Sequence, residues 1–250
     1  MILPQLMNHW QRIETENKLK QTYSMLKLAL ETAEVKHGEP DGWGYDTYVN
    51  ITQASGDDLE EQKKGTQDEV NSFVNEILKP NLKMALDSED YKKRSVFHGN
   101  KIKVFKNNKL QDLAADYKAR YFILPNGASV GVFINDHSAT EESSEPSAEP
   151  ASRIWGHISM LIDTNGTSRP NIFGKDVFEF MFAPEDDYFG PYKKSDHQEA
   201  KAIEEGKTLR EYYYTYCSNG GNSAMYCAKL IELDGWKINP KDYPWWKNKK

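Results

Sequence analysis

The stretch from Met1 to Gly38 has the pattern of one long amphipathic helix, which limits the possible folds more than any other feature of the chain. Its apolar side chains recur at alternating spacings of four and three, which places them on one face of a helix. Those residues are Leu19, Tyr23, Leu26, Leu30 and Ala33. Gly38 and Pro40 end the pattern, because glycine accepts a left-handed cap and proline cannot continue a helix. The predicted helix is about 30 residues long, or about 45 Å at 1.5 Å per residue.

This length leaves two interpretations open. Helices of globular domains typically have about 8–20 residues, and periodic patterns beyond about 25 residues indicate an assembly or membrane role. The helix is therefore either a long core element or a spine that contacts other molecules. The apolar start Met1-Ile2-Leu3-Pro4 favours a helix that continued upstream.

The composition excludes some partners. The chain has 250 residues, 38% of them hydrophobic, and a formal net charge of -6. A nucleic-acid surface needs a concentrated basic patch, whereas the tail from Lys247 to Lys250 is a short basic cluster in a chain whose acidic residues outnumber its basic ones. No window approaches the run of about 20 apolar residues that spans a bilayer, and the start lacks the pattern of a signal peptide.

The order of predicted elements indicates an α+β fold with a long N-terminal helix packed on an antiparallel sheet. A second helix begins near Thr66, is interrupted at Pro80 and continues over Leu82 to Asp90. Asn126-Gly127 between two β-prone runs predicts a hairpin. The remaining predicted elements are short strands at 48–52, 154–162 and 176–182, an exposed loop at 138–152, and helices near 195–205 and 224–234.

The cysteines favour one disulfide bond. Cys217 and Cys227 are ten positions apart across a turn-rich segment, which suits a bridge that closes a small loop. In an exported chain such a pair is usually joined, whereas in a cytosolic chain the two thiols would be unrelated.

One segment has the donor atoms of a cation site. Calcium takes oxygen ligands from closely spaced carboxylates, amides and backbone carbonyls in a loop shaped by glycine. Asp163 and Asn165 precede Gly166, and Asp176 follows ten residues later, so these three side chains are the candidate calcium ligands. The alternative is a β-connection that Asx turns stabilise without a metal.

Two further patterns are weak. The string Gly127 to Gly131 matches the G-x-S-x-G elbow of hydrolases with Ser129 as nucleophile, but that motif requires a helix after the serine and a strand pattern follows here. The tyrosines at 212–214 and 216 and the tryptophans at 236, 245 and 246 form either an aromatic ligand platform or core. We propose no catalytic residue from the sequence.

With these residues in view, the chain resembles type IV pilin-like proteins, the pilins and the pseudopilins of type II secretion systems. The resemblance lies in the apolar start, in the helix body 20–34, and in blocks that occur in the same order along the chain. These blocks are Ile162-Asp163-Thr164-Asn165-Gly166, Pro170-Asn171, Gly174-Lys175-Asp176-Val177-Phe178, Cys227-Ala228-Lys229-Leu230-Ile231 and Asp234-Gly235-Trp236-Lys237-Ile238. Residues 41–115 and 138–152 carry no part of it.

The resemblance implies a spine helix at 1–38, shortened of its apolar half, and a globular head at 39–250. The leader peptide, the cleavage site and the acidic residue near the mature start of such proteins are absent from this sequence. The resemblance implies a non-enzymatic subunit of a type IV pilus or type II secretion pseudopilus. Its partners would be other pilin or pseudopilin subunits, and before assembly the inner membrane through the missing segment. Its place would be the bacterial cell envelope, as a periplasmic or cell-surface filament. The alternative is a minor pilin-like head that binds a surface or secreted partner through the loop at 138–152 and the C-terminal aromatic residues.

Overall fold

The structure is a computed structural model that describes residues 3–45, 67–87, 103–106, 109–112, 119–134, 157–166, 168, 171–243 and 245. The strand predicted at 48–52 and the loop predicted at 138–152 lie outside these residues. The described part is an α+β protein with a long N-terminal helix and a six-stranded antiparallel sheet. The fold class predicted from the sequence is confirmed.

Helix α1 spans Leu3–His37, and it ends where the glycine predicted. Gly38 has a φ of 83° and its N–H donates to the carbonyl of Glu34 at 2.9 Å, which closes the last turn. The predicted apolar face is the buried face: the side chains of Leu19, Leu26, Leu30 and Ala33 are at most 5% exposed. The ring of Tyr23, the fifth member of that face, contacts the rings of Phe180, Phe189 and Trp236 at centroid distances of 6.0, 5.7 and 4.9 Å.

Helix α2 covers residues 67–78, and its last turn, Val74–Leu78, is π-helical. The predicted continuation of this helix over Leu82 to Asp90 is wrong in its described part. Leu86–Asp87 is instead a short strand, β1, which pairs with β4. A buried ion pair holds this segment against β4 as a strand. The guanidinium of Arg120 donates to both carboxylate oxygens of Asp87, with Nη2 at 2.6 Å from Oδ2.

The described strands form a six-stranded sheet in the order β1-β4-β5-β6-β7-β8 and a separate hairpin, β2–β3. Neighbours pair antiparallel throughout. Their bounds are β2 Lys103–Lys106, β3 Lys109–Asp112, β4 Arg120–Ile123, β5 Ser129–Ile134, β6 Ile158–Asp163, β7 Val177–Ala183 and β8 Tyr188–Pro191. The predicted Asn126-Gly127 hairpin is confirmed as the turn between β4 and β5.

The central strands are buried on both faces, because every residue of β5, β6 and β7 is buried. One face packs against α1, where Phe180 contacts Tyr23. On the other face, the ring of His157 packs edge-on against Tyr192 at 5.4 Å, and Tyr192 in turn contacts Tyr226. A side chain on either face of these strands is therefore shielded from water.

Three helices follow the sheet: α3 Asp196–Glu204, α4 Leu209–Asn219 and α5 Cys227–Leu233. α3 and α5 lie within the predicted helical stretches, and Ser195 caps α3. α4 was not predicted, although Thr208 and Glu211 form a capping box at its start. β8 is a second unpredicted element. It lies at the edge of the sheet, where Pro191 is tolerated because an edge strand can lack a donor.

Candidate functional site

The sheet brings Asp163 and Asp176 together where two neighbouring strands, β6 and β7, meet their connecting loop. Asp163 is the last residue of β6, and Asp176 directly precedes β7, whose Val177 pairs with Asp163. The carbonyl of Asp176 accepts hydrogen bonds from the N–H and the hydroxyl of Thr164, at 2.8 and 3.1 Å. The antiparallel ladder thus closes the loop between the two strands and fixes both aspartates at its base.

One oxygen of each carboxylate is used within the loop. Oδ1 of Asp163 accepts from the N–H of Asn165 at 3.0 Å, and Oδ1 of Asp176 accepts from the N–H of Ile172. The first contact is an Asx turn, which is the metal-free structural role that the sequence left open. These contacts orient the two carboxylates. The second oxygen of each carboxylate takes no part in these two hydrogen bonds.

Several side-chain oxygens at this end of the sheet are buried without a hydrogen-bond partner in the described part of the chain. They are Oδ2 of Asp163, Oγ of Ser129 and Oδ1 of Asn171. Ser129 lies directly opposite Asp163 in the β5–β6 ladder. Asn171, six residues after Asn165, is only 3% exposed. Because a buried polar atom without a partner costs free energy, these oxygens indicate a missing partner.

Burial keeps both aspartates from ionising easily. Asp163 is 0% exposed and Asp176 is 5% exposed. Burial first, and then the charge of Asp176, raise the pKa of Asp163 to about 8. Hydrogen bonds from the backbone of Asn165 and Gly166, and then the charge of Lys18, oppose the shift. Burial raises the pKa of Asp176 to about 7, against the hydrogen bond from Ile172 and the charge of Lys175. A cation between the two carboxylates would offset both the burial and the repulsion.

The donor set consists of oxygen alone, as calcium prefers. The structure brings together Asp163, Asn165 and Asp176 in one loop. It adds Ser129 opposite Asp163 and the buried Asn171 next to Ile172, and sequence reasoning missed both. Among the described residues, no group of three or more His, Cys, Asp or Glu side chains is placed to hold a metal ion. A cation here would therefore rely on two carboxylates, with amide, hydroxyl and backbone oxygens as its other ligands.

Gly166 holds the loop against the neighbouring turn. Its φ is 65°, and a Cβ at this position would lie 2.3 Å from the carbonyl oxygen of Gly127. Backbone cannot yield at that distance, so the close contact between the β4–β5 turn and the loop requires glycine.

We expect Gly166→Ala to lower the free energy of unfolding by about 3 kcal/mol, because it adds a steric clash to an unfavourable φ. Gly206→Ala is the matched control, since Gly206 has a φ of 80° with nothing within 4 Å of its Cβ position. That control should lose only about 1–2 kcal/mol, the cost of the left-handed conformation. Urea unfolding measures both, and equal losses would contradict the contact between the loop and the turn.

The cysteines form the predicted bridge, and it lies against the same loop. The Sγ atoms of Cys217 and Cys227 are 2.07 Å apart, and both residues are 0% exposed. A Cβ on Gly174, in the loop before β7, would lie 3.0 Å from the Sγ of Cys227 and 2.7 Å from the ring of Trp245. The disulfide thus connects α4 and α5 and supports the segment that carries Asp176.

The other sequence candidates have ordinary structural places. Ser129 begins strand β5, so the helix that a nucleophile elbow requires is absent after it. Of the aromatic residues, Tyr213 is 0% exposed, and Tyr212, Tyr214, Tyr216, Trp236 and Trp245 are partly buried against the core. Their burial gives the aromatic platform no support, and Trp246 lies outside the described residues.

Glu179 is a buried carboxylate that sequence reasoning missed, although it is the one charged residue within the apolar run of β7. It accepts a hydrogen bond from the hydroxyl of Ser159 at 3.1 Å. Burial raises the pKa of Glu179 to about 7, and only the Ser159 hydrogen bond opposes the shift.

Glu179 should make the folded state less stable as the pH rises. Folded Glu179 keeps its proton up to a pKa of about 7, whereas an unfolded glutamate loses it near a pKa of about 4.3. Between these values the folded state binds more protons, so the free energy of unfolding falls, by at most about 1.4 kcal/mol per pH unit. Glu179→Gln should flatten this slope between about pH 5 and pH 7, as urea midpoints would show. An unchanged slope would contradict the assignment.

The fold and the loop define an α+β protein whose long helix packs on an antiparallel sheet, with two buried aspartates at one end of its strands. The chain belongs to a family described as "Family of unknown function (DUF6613)", which matches residues 5–246. No curated protein and no solved structure matches the chain. In the described part of the chain, no helix has the length and apolar character needed to cross a membrane.

Proposed function

We propose that the protein is a structural subunit of a pilin-like filament, a type IV pilus or a type II secretion pseudopilus, in the bacterial cell envelope. The observation that carries this proposal is the change in burial along α1. From Leu19 to Ala33 the apolar face of the helix is buried, whereas Leu6, Met7 and Trp10 are 50%, 55% and 64% exposed. The first turns therefore offer apolar surface that the described part of the chain does not cover.

Exposed apolar surface of this kind favours contact with another molecule. A helix whose second half packs on its own sheet and whose first half does not is suited to pack against other copies or against lipid. Both environments exclude water from Leu6, Met7 and Trp10. The partners that this geometry suits are therefore other subunits and, before assembly, a membrane.

The loop of Asp163 and Asp176 supports the same proposal. The sequence blocks that resemble pilin-like proteins fold into this loop and into α5, and Gly174 lies close to Cys227 between them. We propose that calcium binds at Asp163 and Asp176, with Asn165, Asn171 and Ser129 as further oxygen ligands. Metal and disulfide would then stabilise the head without catalysing a reaction.

Immunogold electron microscopy tests the filament proposal directly. Antibodies raised against the purified chain are applied to cells of the source organism and to filaments sheared from them. Gold particles along envelope filaments would support the proposal. Labelling confined to the cytoplasm would contradict it, and a strain without the gene controls for specificity.

Substitution at the exposed start of α1 tests the contact surface. Replacing Leu6, Met7 and Trp10 together by serine should remove the protein from the filament fraction of complemented cells. Leu28 and Val35 are 61% and 88% exposed on α1, so replacing those two by serine is the matched control. Equal incorporation of both variants would contradict a role for the first turns.

A further inference from the structure

A groove of about 410 Å³ lies between α1 and strands β7 and β8, away from the aspartate loop. Its floor is apolar, since Leu30 and Phe182 are 5% and 4% exposed. Half-buried aromatic rings extend the floor: Phe189 stacks on Tyr23 with their centroids 5.7 Å apart, and Tyr188 lies beside them. The groove can therefore accept an aliphatic or aromatic side chain.

The rim of the groove is acidic. Its charged lining residues are four carboxylates, Glu31, Glu34, Asp187 and Glu232, and one ammonium, Lys27. Lys27 lies 3.8 Å from Glu31, and Lys229 lies 2.6 Å from Glu232. Within the described part of the chain, neither Glu34 nor Asp187 has an ion-pair partner. An apolar floor with an uncompensated acidic rim suits a lysine-rich segment, whose aliphatic stems pack on the rings while the ammonium groups meet the carboxylates.

We propose that this groove binds the lysine-rich tail, Lys247 to Lys250, of a second copy of the chain. The chain as a whole carries a net charge of -6, whereas this tail is a basic segment, with lysine at three of its four positions. Trp246 directly precedes it and supplies an aromatic side chain that the floor could accept. The charge and apolar character of the tail thus complement the groove.

The position of Trp245 favours a second copy over the same chain. Its ring lies next to Gly174, whose N–H donates to the carbonyl of Val177, so Trp245 is near the beginning of β7. Phe182 lines the groove five residues further along that strand, about 17 Å away at 3.3 Å per residue. Lys247 is two residues after Trp245 and adds only about 7 Å of backbone. The tail of the same chain would have to run fully extended along a straight path to fill its own groove.

A peptide titration tests the groove. The probe is a fluorescent synthetic peptide with the sequence of residues 241–250, titrated with the full chain at low ionic strength and followed by anisotropy. Glu34→Gln with Asp187→Asn should weaken binding about three- to tenfold, because each removes a partly exposed ion pair. Asp68→Asn with Glu204→Gln removes the same charge at exposed sites elsewhere and should leave binding unchanged. A peptide with its three tail lysines replaced by glutamine should also bind about three- to tenfold more weakly.

Sedimentation velocity tests the second copy, and its outcome does not depend on the filament proposal. The full chain should self-associate with rising concentration. Glu31→Lys with Glu34→Lys in the groove should abolish this association. Replacement of the three tail lysines by glutamate should abolish it as well. A chain that carries both the groove and the tail substitutions should associate again. Peptide binding that is equal for the groove variant and the control would overturn the proposal. The proposal would also be overturned if the chain is monomeric and binds the peptide only after its own tail lysines are replaced. That result would mean that the tail of the natural chain occupies its own groove.

Discussion

Calcium should raise the thermal midpoint of the oxidised chain at pH 8, and Asp163→Asn should remove this response. Two carboxylates buried at the same end of the sheet repel each other when both are ionised, and a divalent cation would convert this repulsion into attraction. At a free calcium concentration about 100 times the dissociation constant, the free energy of unfolding should rise by about 2.7 kcal/mol. Differential scanning calorimetry with calcium and with chelator measures the change.

The Asp163→Asn variant distinguishes the loss of a calcium ligand from the loss of the folded structure. Asparagine at position 163 can still accept the hydrogen bond from the N–H of Asn165, so the Asx turn remains. Without calcium at pH 8, Asp163→Asn should be at least as stable as the natural chain, because it removes a buried charge. Magnesium is the control ion, since it dehydrates reluctantly and demands a near-octahedral site. Equal midpoints with calcium and chelator in the natural chain would contradict the metal site, and an undiminished response in the variant would locate it elsewhere.

Local chemistry in the sequence predicted those elements whose signals lie within a few residues. Gly38 ended α1, Asn126-Gly127 formed the β4–β5 turn, and the apolar spacing of α1 gave its buried face. The missed elements depend on distant partners. β1 is a strand because Arg120, 33 residues away, holds the carboxylate of Asp87, and no periodicity near Asp87 contains that information.

The residues of the candidate site also fall into two groups, those that local sequence predicts and those that depend on distant partners. Asp163, Asn165 and Asp176 were predicted because they lie close together around one glycine-containing loop. Ser129 was missed because its relation to Asp163 comes from tertiary structure. The β5–β6 register brings Ser129 opposite Asp163, and a shift of that register by one residue would turn Ser129 to the other face. The sequence thus indicates which chemistry the loop offers, while the sheet determines which further side chains join it.

Reduction of the disulfide should destabilise the folded chain and weaken the proposed calcium binding together. Cys217 and Cys227 are ten positions apart, so the bridge closes a short loop between α4 and α5. Limiting the unfolded chain in this way contributes about 3 kcal/mol for a loop of this length. We expect the urea midpoint of the natural chain to fall accordingly on reduction, and Cys217→Ala with Cys227→Ala to match the reduced chain. Reductant should leave that double variant unchanged, which controls for effects of the reagent.

The position of the bridge extends its effect to the aspartate loop. Because the Sγ of Cys227 lies 3.0 Å from the Cβ position of Gly174, loosening α5 removes a fixed surface against which the segment before Asp176 packs. Calcium binds more weakly when its ligands must be ordered on binding, since that ordering costs conformational entropy. Calorimetric titration of the oxidised and reduced chains at a temperature where both are folded should therefore give a weaker affinity after reduction. An unchanged affinity alongside a lowered urea midpoint would mean that the bridge stabilises α4 and α5 alone, and that the strand register by itself holds Asp163 and Asp176 in place.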